Sequence, residues 1–299
     1  MPRRIAPNGF RTLRMKKNSA GPLLCAMVLT FTNVAVSQSL AAPNPPQSSA
    51  NSPGALPDAP APQAANTSAA ADTEKKPVTL RNVSLNILKD QAAIWSSPVR
   101  IRDQSLAYLV PLVLAATVLV TTDHQVMSSP RLDDPSLNNH ASTAFNALLG
   151  GFVAWPVLIY GLGHIQHDDQ ATETGLLAGE AMVDSLVVDE AMKAVTMRER
   201  PTLDNAKGNF FQTSVGLDSS FPSTHCMIAW SSAAVIASEY NGPMMKLTAY
   251  GLATGLGVTR VLARQHFPSD VLVGSAVGWL VGRYVFHKHS RFYDRYTVQ

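Results

Sequence analysis

Long apolar runs, interrupted by short polar stretches, dominate the chain from about residue 78 to residue 289. This part of the chain lacks the alternating pattern and turn dipeptides of β-strands, so we predict an all-α fold. Six helices are predicted, at residues 106–122, 144–163, 172–195, 224–240, 244–262 and 269–287. A shorter amphipathic helix over residues 84–95 precedes them. The expected architecture is a helical bundle of about six helices.

The apolar character of these helices favours a membrane-embedded bundle over a soluble one. The first two have about 17 to 20 residues without a charge, which is long enough to span a bilayer. The third helix is more polar, and its acids would be costly at membrane depth unless they face the bundle interior. These acids are Glu180, Asp184, Asp189 and Glu190.

Glycines recur at helical spacing in the last two predicted helices. The fifth helix carries Gly251 and Gly255, and the sixth carries Gly274, Gly278 and Gly282. Small residues on one stripe let helix backbones approach closely, as they do in membrane bundles. We therefore expect both helices to pack closely against their neighbours.

The pattern before the bundle is different. The chain starts with a basic segment, an apolar run and then small residues, which is the layout of a secretory signal peptide. Residues 1–41 are thus predicted to be a signal peptide or an uncleaved N-terminal anchor. Residues 42–77 are rich in Pro and Ala and almost lack large apolar side chains, which predicts a disordered tether. The folded domain is expected over residues 78–290, followed by a tail over residues 291–299.

Charge and cysteine content exclude several classes of protein. The chain has 24 Lys and Arg against 21 Asp and Glu, for a formal charge of +3. Six of those cations lie in residues 1–17, and the remaining 18 against 21 acids leave a charge of −3. A nucleic-acid partner is therefore disfavoured. Two cysteines, Cys25 and Cys226, are too few for a disulfide framework or a cysteine zinc site.

Three short motifs carry the candidate chemistry, and each falls at the end of a predicted helix. Residues 193–201 (KAVTMRERP) close the third helix, residues 221–225 (FPSTH) open the fourth, and residues 259–270 (TRVLARQHFPSD) connect the fifth to the sixth. In an up-and-down bundle these helix ends lie on one side. We therefore expect one site rather than three.

The cations and the helix start suit a phosphate group. Lys193, Arg200 and Arg260 could clamp its oxygens, because a guanidinium matches an oxygen pair and an ammonium adds a point charge. Ser223 and Thr224 stand at a helix N-terminus, whose free N–H groups and dipole favour an anion. Taken singly, each residue is more often a solvated cation or a helix cap. Their joint occurrence at fixed spacings favours a site.

Two histidines could supply the reactive groups. His266 lies four residues before Asp270, whose carboxylate could orient the imidazole as a nucleophile. His225 would then act as the general acid on the leaving oxygen. Because the cations supply the positive charge, no metal or other cofactor is expected.

The three motifs resemble those of the type 2 phosphatidic acid phosphatase (PAP2) superfamily, which includes lipid phosphatases, bacterial non-specific acid phosphatases and vanadium haloperoxidases. The resemblance covers about residues 90–288. The first motif matches fully, whereas Thr259 replaces the usual Ser of the third and Thr224 the usual Gly of the second.

The resemblance implies a helical bundle in which His266 forms a phosphohistidine intermediate and His225 is the acid. It also implies phosphate contacts from Lys193, Arg200, Ser223, Thr224, His225 and Arg260. The Thr224 side chain would crowd the phosphate at a position where the family has none, which affects catalytic efficiency and substrate choice more than the fold.

Three functions are open at this point. The first is a metal-independent phosphatase that hydrolyses a phosphomonoester or pyrophosphate, on a lipid carrier or as a soluble periplasmic acid phosphatase. The second is a haloperoxidase, in which the same residues hold vanadate as cofactor. The third is a non-catalytic membrane protein, in which the Thr224 side chain has made the site inactive. Export and membrane character favour a phosphatase acting on a lipid or small-molecule phosphate.

The location has two conflicting signals. Cationic residues flank the bundle end opposite the motifs, which puts that end in the cytoplasm and the site outside. These are Arg100, Arg102, Lys246, Lys288, Arg291 and Arg295. A cleaved export signal would instead place the start of the first helix outside. We favour an enzyme of the inner membrane with its site facing the periplasm, with a soluble periplasmic protein as the alternative.

Four further features are not assigned to the site. His164, His167, Asp168 and Asp169 are expected in a solvated loop. Glu180 and Asp184 lie one turn apart, but no partner histidine is apparent, so interior polar contacts are expected. Cys226 is expected to be a buried apolar residue rather than a nucleophile. Arg264 could contact substrate but is not assigned to the site.

Overall fold

A computed structural model describes residues 78–97 and 103–293 of the chain. The predictions for the leader over residues 1–41 and the tether over residues 42–77 lie outside the described residues, as does the end of the predicted tail.

Seven α-helices and two short 3₁₀ turns make up the described part of the chain, which has no strand. The helices are α1 (Leu80–Ser96), α2 (Asp103–Met127), α3 (Pro135–Gln166), α4 (Asp169–Thr196), α5 (Thr224–Glu239), α6 (Pro243–Leu262) and α7 (Pro268–His289). The all-α prediction is confirmed, with α1 as the amphipathic helix and α2–α7 as the bundle helices.

The largest difference in helix bounds is the start of α3, which begins nine residues before the predicted residue 144. Its first turns are polar, so they carry no apolar period to reveal a helix. Local signals start it instead: the Asp134 carboxylate accepts a hydrogen bond from the Ser136 N–H at 2.9 Å, and Pro135 occupies the first turn. Proline is favoured there because the N–H that it lacks would have no partner within the helix.

The centre of the bundle is α5, which is buried along most of its length. Ala229, Ala233 and Ala237 pack on one side against α3 and α6. Val235 and Ile236 pack on the other side, against α4 and α7. Because α5 begins with the second motif, this packing holds the start of that helix firmly in the middle of the other helix ends.

The glycine stripe of α7 lets its backbone touch that of α5. A Cβ at Gly278 would lie 2.2 Å from the Met227 carbonyl oxygen, and one at Gly282 would lie 2.2 Å from that of Ser231. The predicted close approach is thus confirmed for α7. It is wrong for α6, where a Cβ at Gly251 would meet nothing within 4 Å. In that helix Gly257 is the crowded position, against Val271.

The acids of α4 are mostly turned inward. Glu180, Asp184 and Asp189 are buried, and Glu190 is exposed. Three of the four acids therefore face the bundle interior, as membrane depth would require.

Two described helices, α2 and α3, have the length and apolar composition to cross a membrane. Their apolar windows are almost unburied, with none of the α2 window and 17% of the α3 window inside the protein. Tyr108, Val113 and Val118 of α2 are exposed by 60% or more. A surface so apolar suits contact with lipid or with another protein.

Candidate active site

The three motifs meet at one end of the bundle. The described helices α4 and α6 end there, and α5 and α7 begin there. The Lys193 ammonium donates to the hydroxyl of Thr224, which precedes His225. Arg200 Nη1 lies 3.3 Å from the carbonyl of Gln265, which precedes His266. The second and third motifs also touch, because the Ser223 N–H donates to the Asp270 carbonyl at 3.1 Å. The expectation of a single site is therefore met in space.

His266 lies in the short loop between α6 and α7 and is almost fully buried. Its Nδ1 atom is 2.7 Å from the Ser220 carbonyl oxygen. A carbonyl oxygen can only accept a hydrogen bond, so Nδ1 carries the proton and Nε2 keeps its lone pair. Burial lowers the pKa of His266, and the nearby Asp270 carboxylate opposes this shift in part, so the net effect favours the neutral ring. The imidazole is thus held in the tautomer that a nucleophile needs.

Asp270 is not the direct partner of His266 that the spacing suggested. Its Oδ2 lies 3.7 Å from His266 Nδ1, beyond hydrogen-bond distance. It accepts a hydrogen bond from the Phe267 N–H at 2.8 Å instead. Asp270 therefore shapes the turn that carries His266, and the Ser220 carbonyl orients the ring. A backbone group offers no side-chain signal, so the sequence could not indicate it.

Behind this turn lies Arg198, a buried residue that the sequence analysis did not single out. Its Nη1 donates to Asp270 at 2.6 Å and its Nη2 donates to Asp123 at 2.8 Å. The guanidinium also stacks on the rings of Phe210 and Phe267, 4.6 Å and 4.1 Å from their centroids. Arg198 thereby ties α2 and the first motif to the turn before α7. The only signal in the sequence is a third cation between Lys193 and Arg200.

Lys193 and Thr224 are bound to each other. The Lys193 ammonium donates to the Thr224 hydroxyl, and it lies 3.1 Å from the Asp189 carboxylate one helical turn earlier. The Thr224 hydroxyl in turn donates to Asp189 at 2.7 Å. The Thr224 side chain is therefore part of a half-buried triangle with Lys193 and Asp189 that holds the first cation.

The two arginines of the site differ in their surroundings. Arg200 binds Asp218 at 2.7 Å and the Gln265 carbonyl at 3.3 Å, near the surface. Arg260 is buried against the Phe145 ring, 4.2 Å from its centroid. Burial, followed by the charge of Arg200, lowers the pKa of Arg260 to about 10. The positive charges of Arg260 and Arg200 thus disfavour each other, as expected of a site that binds an anion.

Several buried polar atoms at this end, including one each of Asp189 and Arg264, have no hydrogen-bond partner among the described residues, and three of them belong to proposed site residues. These three are Ser223 Oγ, His225 Nδ1 and Arg260 Nε. Burial is the main reason that the pKa of His225 falls to about 3, and the charge of Arg260 adds to it. An anion would accept hydrogen bonds from donors of this kind. Its negative charge would also offset the lowering of the His225 pKa by the surrounding cations.

The remaining candidates have structural surroundings. His164 ends α3 and stacks on Tyr160, and Asp168 caps α4 by accepting from the Ala171 N–H at 3.0 Å. Cys226 is buried, which raises the pKa of its thiol to about 11, so it is not a nucleophile. Arg264 pairs with Asp133. The interpretation of Cys226 as a buried apolar residue is confirmed. The predicted loop is wrong: His164 lies in the last turn of α3 and Asp169 begins α4. Only His167, in a left-handed conformation, and the cap Asp168 lie between the two helices.

The interpretation of Glu180 and Asp184 needs a correction. The sequence suggested no histidine partner, but His289 at the end of α7 lies 3.5 Å from Glu180 and 2.7 Å from Asp90 of α1. Because His289 is 109 residues from Glu180, nothing in the local pattern reveals that they meet.

Comparison with known proteins agrees with the motifs. The family model of the PAP2 superfamily matches residues 174–294, which contain all three. A lipid A 1-phosphatase of Porphyromonas gingivalis is 38% identical over 65 residues, which are 21% of this chain and 15% of the relative. The chain thus matches only a small part of that protein's length. The crystal structure of a transmembrane PAP2-type phosphatidylglycerolphosphate phosphatase from Bacillus subtilis aligns with a TM-score of 0.43 and 21% identity, over 69% of this chain and 92% of the other.

Proposed function

We propose that the protein is a phosphatase. Residues 174–294 match the PAP2 superfamily and hold all three motifs, so the resemblance seen in the sequence is confirmed over that range. The protein hydrolyses a phosphomonoester or pyrophosphate carried by a lipid. The observation that carries this proposal is the buried His266 ring, whose Nδ1–H is held by the Ser220 carbonyl beside a group of cations.

The proposed reaction has two steps. The Nε2 lone pair of His266 attacks phosphorus, the bond between phosphorus and the leaving oxygen breaks, and a phosphohistidine forms. Water then attacks the phosphohistidine and releases inorganic phosphate, restoring the neutral imidazole. Lys193, Arg200 and Arg260 stabilise the charge on the transferring group. Since these cations provide the positive charge, the reaction needs no metal.

His225 is the proposed acid. The leaving oxygen takes its proton, and in the second step His225 accepts one from the attacking water. Its pKa of about 3 in the anion-free site is too low for this role. A bound phosphate dianion raises the pKa, because it places negative charge among the cations that lower it. The acid is therefore charged only when substrate is present.

A lipid substrate is supported by the apolar helices beside the site. Phe145 of α3 lies edge-on to His225 at 4.9 Å and under Arg260. The same helix exposes Val153 and Val157, so the helix that contacts the site also carries an apolar outer surface. A cavity of about 420 Å³ lies beside the end of the first motif, lined by residues that include Pro201, Arg264 and Asp133, but by none of the proposed phosphate-binding residues.

We further propose that α2 and α3 contact the bilayer and that the site faces the periplasm. The exposed apolar surfaces of these helices favour a membrane protein over the soluble periplasmic alternative.

The test is release of inorganic phosphate by purified full-length protein in detergent micelles. Phosphatidic acid, a polyprenyl pyrophosphate and a soluble aryl phosphate are compared, each with and without EDTA and with vanadate. We expect hydrolysis of a lipid substrate that survives EDTA and is inhibited by vanadate, a tetrahedral oxyanion like phosphate.

His266→Ala should lower the rate by at least a thousandfold, while His164→Ala, at an exposed histidine, should leave it unchanged. Wild-type turnover in His266→Ala, or activity that needs an added metal, would contradict the proposed mechanism.

A further inference from the structure

Far from the phosphate site, α1, α4 and α7 bring together a second group of ionisable side chains. Asp90, Glu180 and His289 each offer one ligand atom, and these three atoms lie within 4.8 Å of one another. Glu180 is 13 residues before Lys193 on α4, which corresponds to about 20 Å along a helix. This group therefore has no contact with the proposed chemistry.

The three side chains have the spacing of ligands around one cation. His289 Nε2 is 2.7 Å from Asp90 Oδ2 and 3.5 Å from Glu180 Oε1. Neighbouring ligands around a cation bound at about 2.1 Å are roughly 3 Å apart. A small movement of flexible side chains would let all three bind one ion.

Glu180 is the reason to expect an ion rather than a network of side chains alone. It is 1% exposed, and neither of its carboxylate oxygens has a hydrogen-bond partner among the described residues. A buried carboxylate without a hydrogen bond, whose nearest ion-pair partner is His289 at 3.5 Å, is costly, and a bound cation would compensate it.

Asp184 adds a fourth candidate ligand. It is fully buried one turn after Glu180, and its Oδ2 also has no partner in the described part of the chain. Its Oδ1 accepts from the Gln91 amide of α1 at 2.8 Å. Two acids of α4 thus face α1 with unsatisfied oxygens.

We propose that Asp90, Glu180 and His289 bind a divalent transition-metal ion that fastens α1 to α4 and α7. The ligand types select the ion: imidazole suits zinc and related metals, whereas calcium and magnesium prefer all-oxygen sites. The role is structural, because the site lies away from the phosphate-binding residues.

Lys288 competes with a metal ion for Asp90, so a variant of Lys288 distinguishes a metal site from an ion-pair network without a metal. Its ammonium lies 2.8 Å from Asp90 Oδ1 and 2.6 Å from the Tyr284 hydroxyl, and its side chain is 38% exposed. If Lys288 alone compensates Asp90, its removal destabilises the protein. If a metal binds, removal of this ammonium removes a repulsive charge and strengthens binding.

The experiment uses full-length protein without a histidine tag, stripped with EDTA and titrated with zinc chloride. Bound metal is measured by mass spectrometry and the melting temperature by thermal unfolding in detergent. We expect one zinc ion per chain and a higher melting temperature. Glu180→Gln should weaken affinity at least tenfold, whereas Lys288→Gln should retain or raise it.

Two control variants make the result specific. His164→Gln, beside the exposed His167 and Asp168, should leave the stoichiometry at one. His266→Ala, which removes the proposed nucleophile, should bind zinc as the wild type does, so the outcome is independent of the phosphatase proposal. Absence of bound zinc, equal affinity in Glu180→Gln, or loss of binding in Lys288→Gln would overturn the inference.

Discussion

At the scale of the residue, Thr224 is the clearest departure from the PAP2 motifs that the sequence resembles. Its hydroxyl accepts a hydrogen bond from the Lys193 ammonium and donates one to Asp189. These bonds restrict the movement of the ammonium toward a bound phosphate. The substitution is therefore integrated into the site by hydrogen bonds and does not simply block it.

Thr224→Gly should release Lys193 from one of its two partners and open space at the helix N-terminus. We expect KM for the phosphate substrate to fall severalfold with kcat within a few-fold of wild type. Thr224→Ser, which keeps the hydroxyl, should behave as the wild type in the same steady-state assay. A large loss of kcat in Thr224→Gly would mean that the hydroxyl itself takes part in catalysis.

Arg198 shows how one buried side chain supports a site without touching substrate. Replacing it by Met would leave Asp123 and Asp270 buried without their shared partner, and breaking a buried ion pair costs about 3–5 kcal/mol. We expect Arg198→Met to lower the melting temperature strongly in detergent, and Asp123→Asn to restore part of it.

Arg200→Met is the matched control for Arg198→Met. Its partner Asp218 is 78% exposed, and such surface pairs contribute about 0–1 kcal/mol. This variant should lose activity but keep its melting temperature. Equal loss of stability in both variants would contradict the assigned roles.

At the scale of the element, the contact between α5 and α7 decides where the second and third motifs lie. The Ser223 N–H donates to the Asp270 carbonyl at 3.1 Å, so the two helix starts are joined directly. This is possible because glycines on α7 allow the backbones to touch.

Gly278→Ala should destabilise the bundle, because its Cβ would lie 2.2 Å from the Met227 carbonyl oxygen and the helices would have to separate. Overpacking of this kind costs about 1–3 kcal/mol. Gly251→Ala has open space on α6 and should be neutral or stabilising by up to about 1 kcal/mol. Thermal unfolding of both variants checks this difference, which would be absent if α7 were free to shift.

The bundle helices were readable from their apolar runs, whereas the α3 start and the crowded glycine of α6 were not. The Asp134 cap and Pro135 begin a helix whose first turns are polar. Gly257 and Gly251 look equivalent as residues, and only the neighbouring Val271 makes one of them critical. The spacing of apolar residues along a helix predicts which face is buried. It does not predict which neighbouring side chain lies opposite a given position.

At the scale of the whole molecule, the outward faces of α2 and α3 set the environment. Both are apolar and exposed, whereas most acids of α4 are buried. Exposed apolar faces on α2 and α3 together with inward-facing acids on α4 suit a bilayer.

Val118→Lys tests this environment. Val118 is 60% exposed on α2, and a Lys near the middle of a membrane helix costs about 2.5–3.5 kcal/mol. We expect less of the variant in the membrane fraction after an alkaline wash. Leu85→Lys, at a position on α1 that is 56% exposed, should remain there as the wild type does. A soluble, folded Val118→Lys protein would contradict a membrane location.

The sequence by itself determined the all-α bundle, the order of its helices and the three motifs at their ends. These features depend on the spacing of apolar residues and on residue types that are close together in the chain. Only the tertiary structure decided that the Ser220 carbonyl orients His266, that Arg198 joins Asp123 to Asp270, and that His289 meets Asp90. The partners in these contacts are 46, 72 or more, and 199 residues apart. Contacts at such separations depend on how helices dock, and docking is set by the shapes of packed side chains rather than by any local pattern.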